Sequence, residues 1–282
     1  MYTANKYLRD PNNHVIMSFL KQNIKGNPDK PETYREPRIV RIDSLGHEKN
    51  FVWTINGCRY SPKPGDFILF SGIDLRIPIV RHSPSDVMIS TLILSPGVFI
   101  DDSGLLGLFY TKDPARRLIR AGTLPCVERE FGLLEDELMR PDCNPTAAAC
   151  RAKLLLIELC RGLEFSPGQD RNGSHIAEIT AFIGKHLATR LTIDNVSKAL
   201  GISPSLLSKE LNLRLGVSFP DYIRRLRVNN VISLLSSRNI NVMDAAFESG
   251  FSSMQGFYKT FREITGTSPR EMLKSGVISS EE

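Results

Sequence analysis

Short runs of β-branched and aromatic residues fill the chain from Arg38 to Leu94: RIVRIDSL, FVWTI, DFILF, LRIPIVR and VMISTLIL. Turn-forming stretches separate them: NG at Asn56–Gly57, PKPGD at Pro62–Asp66 and HSPSD at His82–Asp86. An Asn-Gly pair between such runs is a strong hairpin signal, because both residues tolerate the positive φ that a tight reversal needs. Strands this short and closely spaced predict a small barrel or jelly roll. Residues 1–34, polar and rich in Pro and Asn, read as a loosely ordered arm.

The period then changes. Residues 114–139 and 145–163 carry helical spacing. In TAAACRAKLLLIELCRGL, residues 146–163, Leu155, Leu159 and Leu163 stack at i, i+4 and i+8. That stripe suits either a core face or a dimer seam. SPGQDRNGS, residues 166–174, lacks periodic apolar content and reads as a linker, and from there to about Lys274 the pattern is helical. The chain therefore divides into a β-rich and helical part at 1–165, a linker at 166–174 and an all-α part at 175–282, an α+β protein overall.

In LTIDNVSKALGISPSLLSKELNLRLG, residues 191–216, Thr192 can cap a helix whose apolar residues are Ile193, Val196, Ala199 and Leu200. Gly201 ends that helix, Ile202 plugs the core, and Ser203 caps a new helix with Pro204 at its first position. Two helices joined by so tight a turn must cross steeply, as in a helix-turn-helix. Leu207 and Leu211 face inward, leaving Ser205, Ser208 and Lys209 outward, small hydroxyls and a cation suited to phosphates and groove edges.

The plan repeats in AFESGFSSMQGFYKTFREITGTSPREM, residues 246–272. Val242, Ala245, Ala246 and Phe247 fill one helix, Gly250 breaks it, Phe251 plugs the core, and Ser252 or Ser253 caps the next. Phe257 and Phe261 anchor that second helix from behind. Ser252, Ser253, Met254, Gln255, Lys259 and Arg262 are left on the polar side as candidate DNA contacts. Between the units, FPDYIRRLRVNNVISLLSSR, residues 219–238, predicts one spacer helix of about 23–27 Å at 1.5 Å per residue. Helices held at its two ends could enter successive major grooves about 34 Å apart. Arg224 and Arg225 on the spacer suit phosphate contact or a solvated helix face equally.

Charge sharpens this picture. The chain of 282 residues has a formal net charge of +5. Residues 1–170 hold 22 Lys and Arg against 21 Asp and Glu, whereas residues 171–282 hold 14 against 10. A basic helical third suits a polyanionic partner. No apolar run reaches the roughly 20 residues of a membrane span, and the start MYTANKYLRDPNNH has no signal-peptide core, so a cytoplasmic protein without membrane partners is expected. Cys58, Cys126, Cys143, Cys150 and Cys160 contain no CxxC pair and read as reduced thiols.

At these residues the sequence resembles the AraC/XylS family of bacterial transcription regulators, over about residues 176–274. The resemblance lies in LTIDNVSKALGISPSLLSKEL, in GVSFPDYIRRLRVNNVISLL and, most specifically, in SGFSSMQGFYKTFREITGTSPREM. It implies base-edge contacts at Ser205, Ser208 and Lys209 in the first unit and at Met254, Gln255 and Lys259 in the second. Met254 stands where a polar reader is common in the family and suits an apolar contact such as a thymine methyl.

YSPKPGDFILFSG, residues 60–72, resembles the family's cupin-like sensor domain. The resemblance implies an N-terminal domain that senses a small effector or partner protein, with 114–163 as the dimer region. It further implies double-stranded DNA and RNA polymerase as partners, an activator's role and a homodimer.

Other chemistries find little support in the residues. A metal-dependent cupin needs clustered ligands, usually with an HxH, and this region offers only His47, Glu48 and His82. No GxSxG, P-loop or GxGxxG stands between a strand and a helix. No metal, no cofactor and no catalytic residue is therefore expected. Two alternatives remain: a constitutive DNA binder whose barrel only dimerises, and a cupin enzyme fused to a DNA-binding domain.

Overall fold

The computed structural model describes residues 2–9, 15–24, 36–45, 51–74, 76–79, 87–99, 103–110, 113–165, 175–237 and 240–274. Strands β1 (Tyr2–Arg9) and β2 (Val15–Ile24) form an antiparallel hairpin, so the arm expected over residues 1–34 is sheet wherever it is described. The physical reason is alternation inside a polar-looking stretch. Met17 and Phe19 of β2 are each 1% exposed. From Met17 onward the strand pairs with β8 (Val87–Leu94), Met17 lying opposite Leu94 and Ile24 opposite Val87.

The remaining strands are β3 (Arg38–Ser44), β4 (Val52–Ile55), β5 (Cys58–Tyr60), β6 (Phe67–Phe70), β7 (Arg76–Ile79) and β9 (Leu118–Ile119). Their order is β1-β2-β8-β3-β6-β9 in a six-stranded sheet and β5-β4-β7 in a three-stranded one. The larger sheet is not closed, which corrects the expected cupin-like barrel. Its two edge strands are β1 and β9, and β7 pairs with β4 in the smaller sheet.

Period-two alternation sorts the side chains of the large sheet between two cores. Val40, Ile42, Ile68, Phe70, Val87 and Ile89 face the small sheet, where Trp53 packs edge-on against Phe51 and Phe70 at centroid distances of 5.1 and 5.2 Å. Ile39, Phe67, Leu69, Leu92 and Leu94 face the helices.

Those helices are α1 (Pro125–Met139) and α2 (Pro145–Gly162). The helical stretch expected from residue 114 starts later. Residues Pro114–Arg117 form a 3-10 turn and Leu118–Ile119 pairs with β6, so α1 begins only at Pro125. Asn144 caps α2, its side chain accepting from Thr146 N–H at 2.9 Å and Ala147 N–H at 3.1 Å. Leu155 and Leu159 are 0% exposed and Leu163 packs beside them, so the Leu stripe is core rather than a seam. Glu135 holds α1 to the sheet, accepting from Lys21 Nζ at 3.0 Å and Arg41 Nη2 at 2.6 Å.

The proposed linker, residues 166–174, lies outside the described residues, as do His47, Glu48 and His82. Beyond it run α3 (Ile176–Lys185), α4 (Ile193–Leu200), α5 (Pro204–Glu210), α6 (Phe219–Ser237), α7 (Val242–Glu248), α8 (Met254–Thr265) and α9 (Pro269–Lys274). One buried cluster runs from the sheet through the 3-10 segments at 96–99 and 103–110 into α3, α5 and the first half of α6, joining Phe99 and Phe109 with Ile179, Leu211, Tyr222 and Leu226. The second half of α6 belongs to a separate cluster with α7, α8 and α9. Among the described residues no helix is long and apolar enough to cross a membrane.

At the seam, Tyr110 and Tyr222 share a buried hydrogen bond, and burial pushes both hydroxyls well above the ordinary tyrosine range. A raised pKa in the fold favours the protonated form, so this contribution is complete below the ordinary value of 10.0 and is lost as pH rises past it. We expect the melting temperature to fall as pH is raised from about 9 to 11. Tyr222→Phe, which has nothing to ionise there, should show a shallower fall in a calorimetric pH series.

Candidate nucleic-acid interface

The first helix pair is built by its ends. Thr192 and Asn195 form a reciprocal capping box: Asn195 N–H donates to Thr192 Oγ1 at 3.2 Å, and Thr192 N–H donates to Asn195 Oδ1 at 2.9 Å. Gly201 closes α4 at φ 67°. Ser203 then caps α5, accepting from Leu206 N–H at 3.1 Å, with Pro204 at the first position. Leu207 and Leu211 are 0% exposed and fix α5 from behind. After Glu210 a π-turn, Leu211–Leu215, carries the chain to Gly216. Ser205 and Lys209 are exposed and Ser208 is half-buried. One inward assignment fails: Ala199 is exposed, and the neighbouring Ser197 is buried in its place, because α4 presents only a narrow face to the core.

The second pair repeats the design with aromatics. Asn241 caps α7, accepting from Asp244 N–H at 2.9 Å, a cap the sequence reading missed although Asn is a favoured residue there. Gly250 forms the turn at φ 91°. Of the two serines, Ser253 is the cap of α8, accepting from Gly256 N–H at 3.2 Å, and Ser252 is exposed ahead of it. Phe257 and Phe261 are 0% exposed, with rings 5.5 Å apart, and Phe251 packs edge-on to Phe257 at 5.1 Å.

Gln255, Lys259 and Arg262 are exposed on the other side of α8. Met254 is only half-exposed and leans on the second core, so it is less available to a partner than expected. Phe247, expected in the core, is 46% exposed because Ala245 and Ala246 already occupy the inward face of α7.

The spacer helix α6 spans 19 residues, about 28 Å at 1.5 Å per residue. Ser218 and Asp221 cap it, the serine hydroxyl donating to the carboxylate at 2.8 Å. Arg224 is engaged by Asp221 on its own helix and by Glu263 of α8 at 3.5 Å. Arg227 donates to the Leu187 and Thr189 carbonyls at 3.3 and 2.8 Å, tying α6 to the α3–α4 connection. These contacts make Arg224 and Arg227 parts of the frame. No group of three or more His, Cys, Asp or Glu suited to a metal occurs among the described residues.

Residues 196–275 match a family model described as a helix-turn-helix domain. The transcriptional activator RhaS of Enterobacter sp. (strain 638) is 25% identical over 252 residues, 84% of this chain and 90% of that protein. RhaS of Escherichia coli O1:K1 / APEC is 23% identical over the same shares. Among solved structures, ToxT from Vibrio cholerae superposes with a TM-score of 0.52 at 14% identity, covering 94% of this chain and 98% of ToxT, a likeness of fold. Both RhaS relatives are transcriptional activators by name. With two capped helix pairs in its C-terminal part, the chain carries a helix-turn-helix domain and is similar, over most of its length, to the transcriptional activator RhaS.

Proposed function

We propose that α5 and α8 read two successive major grooves of one duplex, with α6 as the rigid spacer. The observation that carries this reading is the repetition of one device at both ends of α6. In each pair a capped helix is anchored by fully buried Leu or Phe residues and keeps a polar face open to solvent. Ser205, Ser208 and Lys209 contact DNA from the first pair. Ser252, Ser253, Gln255, Lys259 and Arg262 contact it from the second, with Met254 at the margin.

In this reading residues 1–165 form the sensing and dimerisation domain, 166–174 the linker and 175–282 the DNA-binding domain. The protein acts in the cytoplasm and touches RNA polymerase as an activator; of these, the activator's role is the one that RhaS bears in its name. Leu133 of α1 with Leu154 and Ile157 of α2, all more than a third exposed, supports a homodimer through the helical segment. A ToxT structure is of the fatty-acid-bound protein, which supports a small apolar effector here as well. The Trp53 indole N–H, buried between the two sheets and without a hydrogen-bond partner among the described residues, is one group such a ligand could satisfy.

The test is ionic. Replacing Lys209 or Lys259 by Ala should weaken binding to a duplex selected by the wild-type chain. Each replacement should also reduce the slope of log K against log salt by about one unit if its ammonium neutralises a phosphate. An unchanged slope in both variants would remove these lysines from the contact surface.

A further inference from the structure

Asp74 stands where four parts of the fold meet. It closes the turn Ser71–Asp74 that carries the chain from one sheet to the other. Its carboxylate is buried and accepts from Asn56 Nδ2 at 2.8 Å on one oxygen. The other oxygen accepts from Ser71 N–H at 2.7 Å and from the Arg117 guanidinium. Its backbone carbonyl accepts from Asn229 Nδ2 of α6 at 2.9 Å, and the Gly72 carbonyl lies 3.5 Å from the same nitrogen. The Gly72 backbone also hydrogen-bonds Tyr110, the partner of Tyr222 on α6. The turn thus grips α6 at Tyr222 and Asn229, two helical turns apart on one face.

The outer end of this chain of contacts is at the surface. Asn56 is exposed, at φ 49° on the tip of the β4–β5 hairpin, yet its carboxamide holds a buried carboxylate. A buried charge network has little slack: withdrawing one donor leaves an acceptor beside Arg117 to be satisfied by movement of the turn. The grip falls where α6 passes from the core shared with the N-terminal half into the core of the second helix pair.

We infer that the Asp74 turn is a relay by which the β4–β5 hairpin controls the placement of α6 between the two helix pairs. Displacing the hairpin tip releases Asn56 from Asp74, loosens the turn and frees Asn229 and Tyr222. The functional consequence rests on α6 being the spacer between two DNA-reading units, but the relay can be tested without DNA.

The experiment is hydrogen–deuterium exchange of the α6 amides in the full chain. It compares wild type, Asn56→Gly, Asn229→Ala and the double variant. Glycine keeps the left-handed backbone at 56 and deletes only the side chain. Each single variant should speed α6 exchange about threefold to tenfold. The double variant should exceed neither, because both cut the same path. If Asn229→Ala loses helical signal, Tyr222→Phe takes its place in the cycle. Wild-type exchange in Asn56→Gly, or effects that multiply in the double variant, would overturn the relay.

Discussion

Phe257→Ala should lower stability by about 3–5 kcal/mol, and the loss should fall on the second helix pair. Phe257 is 0% exposed, touches both Phe251 and Phe261, and belongs to a core that the sheet does not share. A loss of that size is a large part of the roughly 5–15 kcal/mol that holds a domain together. Urea unfolding followed by circular dichroism should therefore show α7, α8 and α9 melting ahead of the rest. Phe247→Ala is the control. At 46% exposed, this residue should change stability by no more than about 0.5 kcal/mol. Equal effects from the two phenylalanines would mean that the second core is not organised as described.

Gly250→Ala should be the most damaging single methyl in the DNA-binding part. At φ +91° a side chain is strained on any surroundings, and a Cβ here would meet the Leu187 carbonyl oxygen at 2.5 Å and Ala188 Cα at 3.0 Å. Both are backbone atoms and cannot swing aside. The same methyl would press on Arg227 Nε at 3.0 Å, which donates to that Leu187 carbonyl. We expect a loss of at least about 2 kcal/mol. Gly201→Ala, at φ +67° with open space around it, should lose only the left-handed penalty of about 1–2 kcal/mol. Thermal unfolding of the two variants side by side should rank them in that order. The reverse order would contradict the packing of the second turn on the α3–α4 connection.

The parts of this molecule that depend on neighbours in sequence were legible in the sequence. Thr192, Ser203 and the Gly201 turn are set by contacts of three to five residues, and the structure places them as the spacing predicts. So are the spacer helix and the buried Phe257 and Phe261.

What failed depends on distant partners or on competition for one face. The strand β2 owes its existence to β8, far along the chain, and its polar surroundings hid the alternation of Met17 and Phe19. Phe247 looks like core by type, but two alanines four and five residues after Asn241 already fill that side of a short helix. The hydrogen bond from Asn229 to Asp74 joins residues 155 apart. No local pattern announces such a contact.

The claim that two helices read two grooves is tested most directly by selecting duplexes from a randomised pool with the full chain and with Gln255→Ala. Wild type should enrich two blocks of preferred bases with centres about 10–10.5 base pairs apart. Gln255→Ala should lose preference at positions in one block and keep the other intact. A single undivided block for the wild type, or a variant that binds every duplex equally less well with both blocks unchanged, would contradict the account.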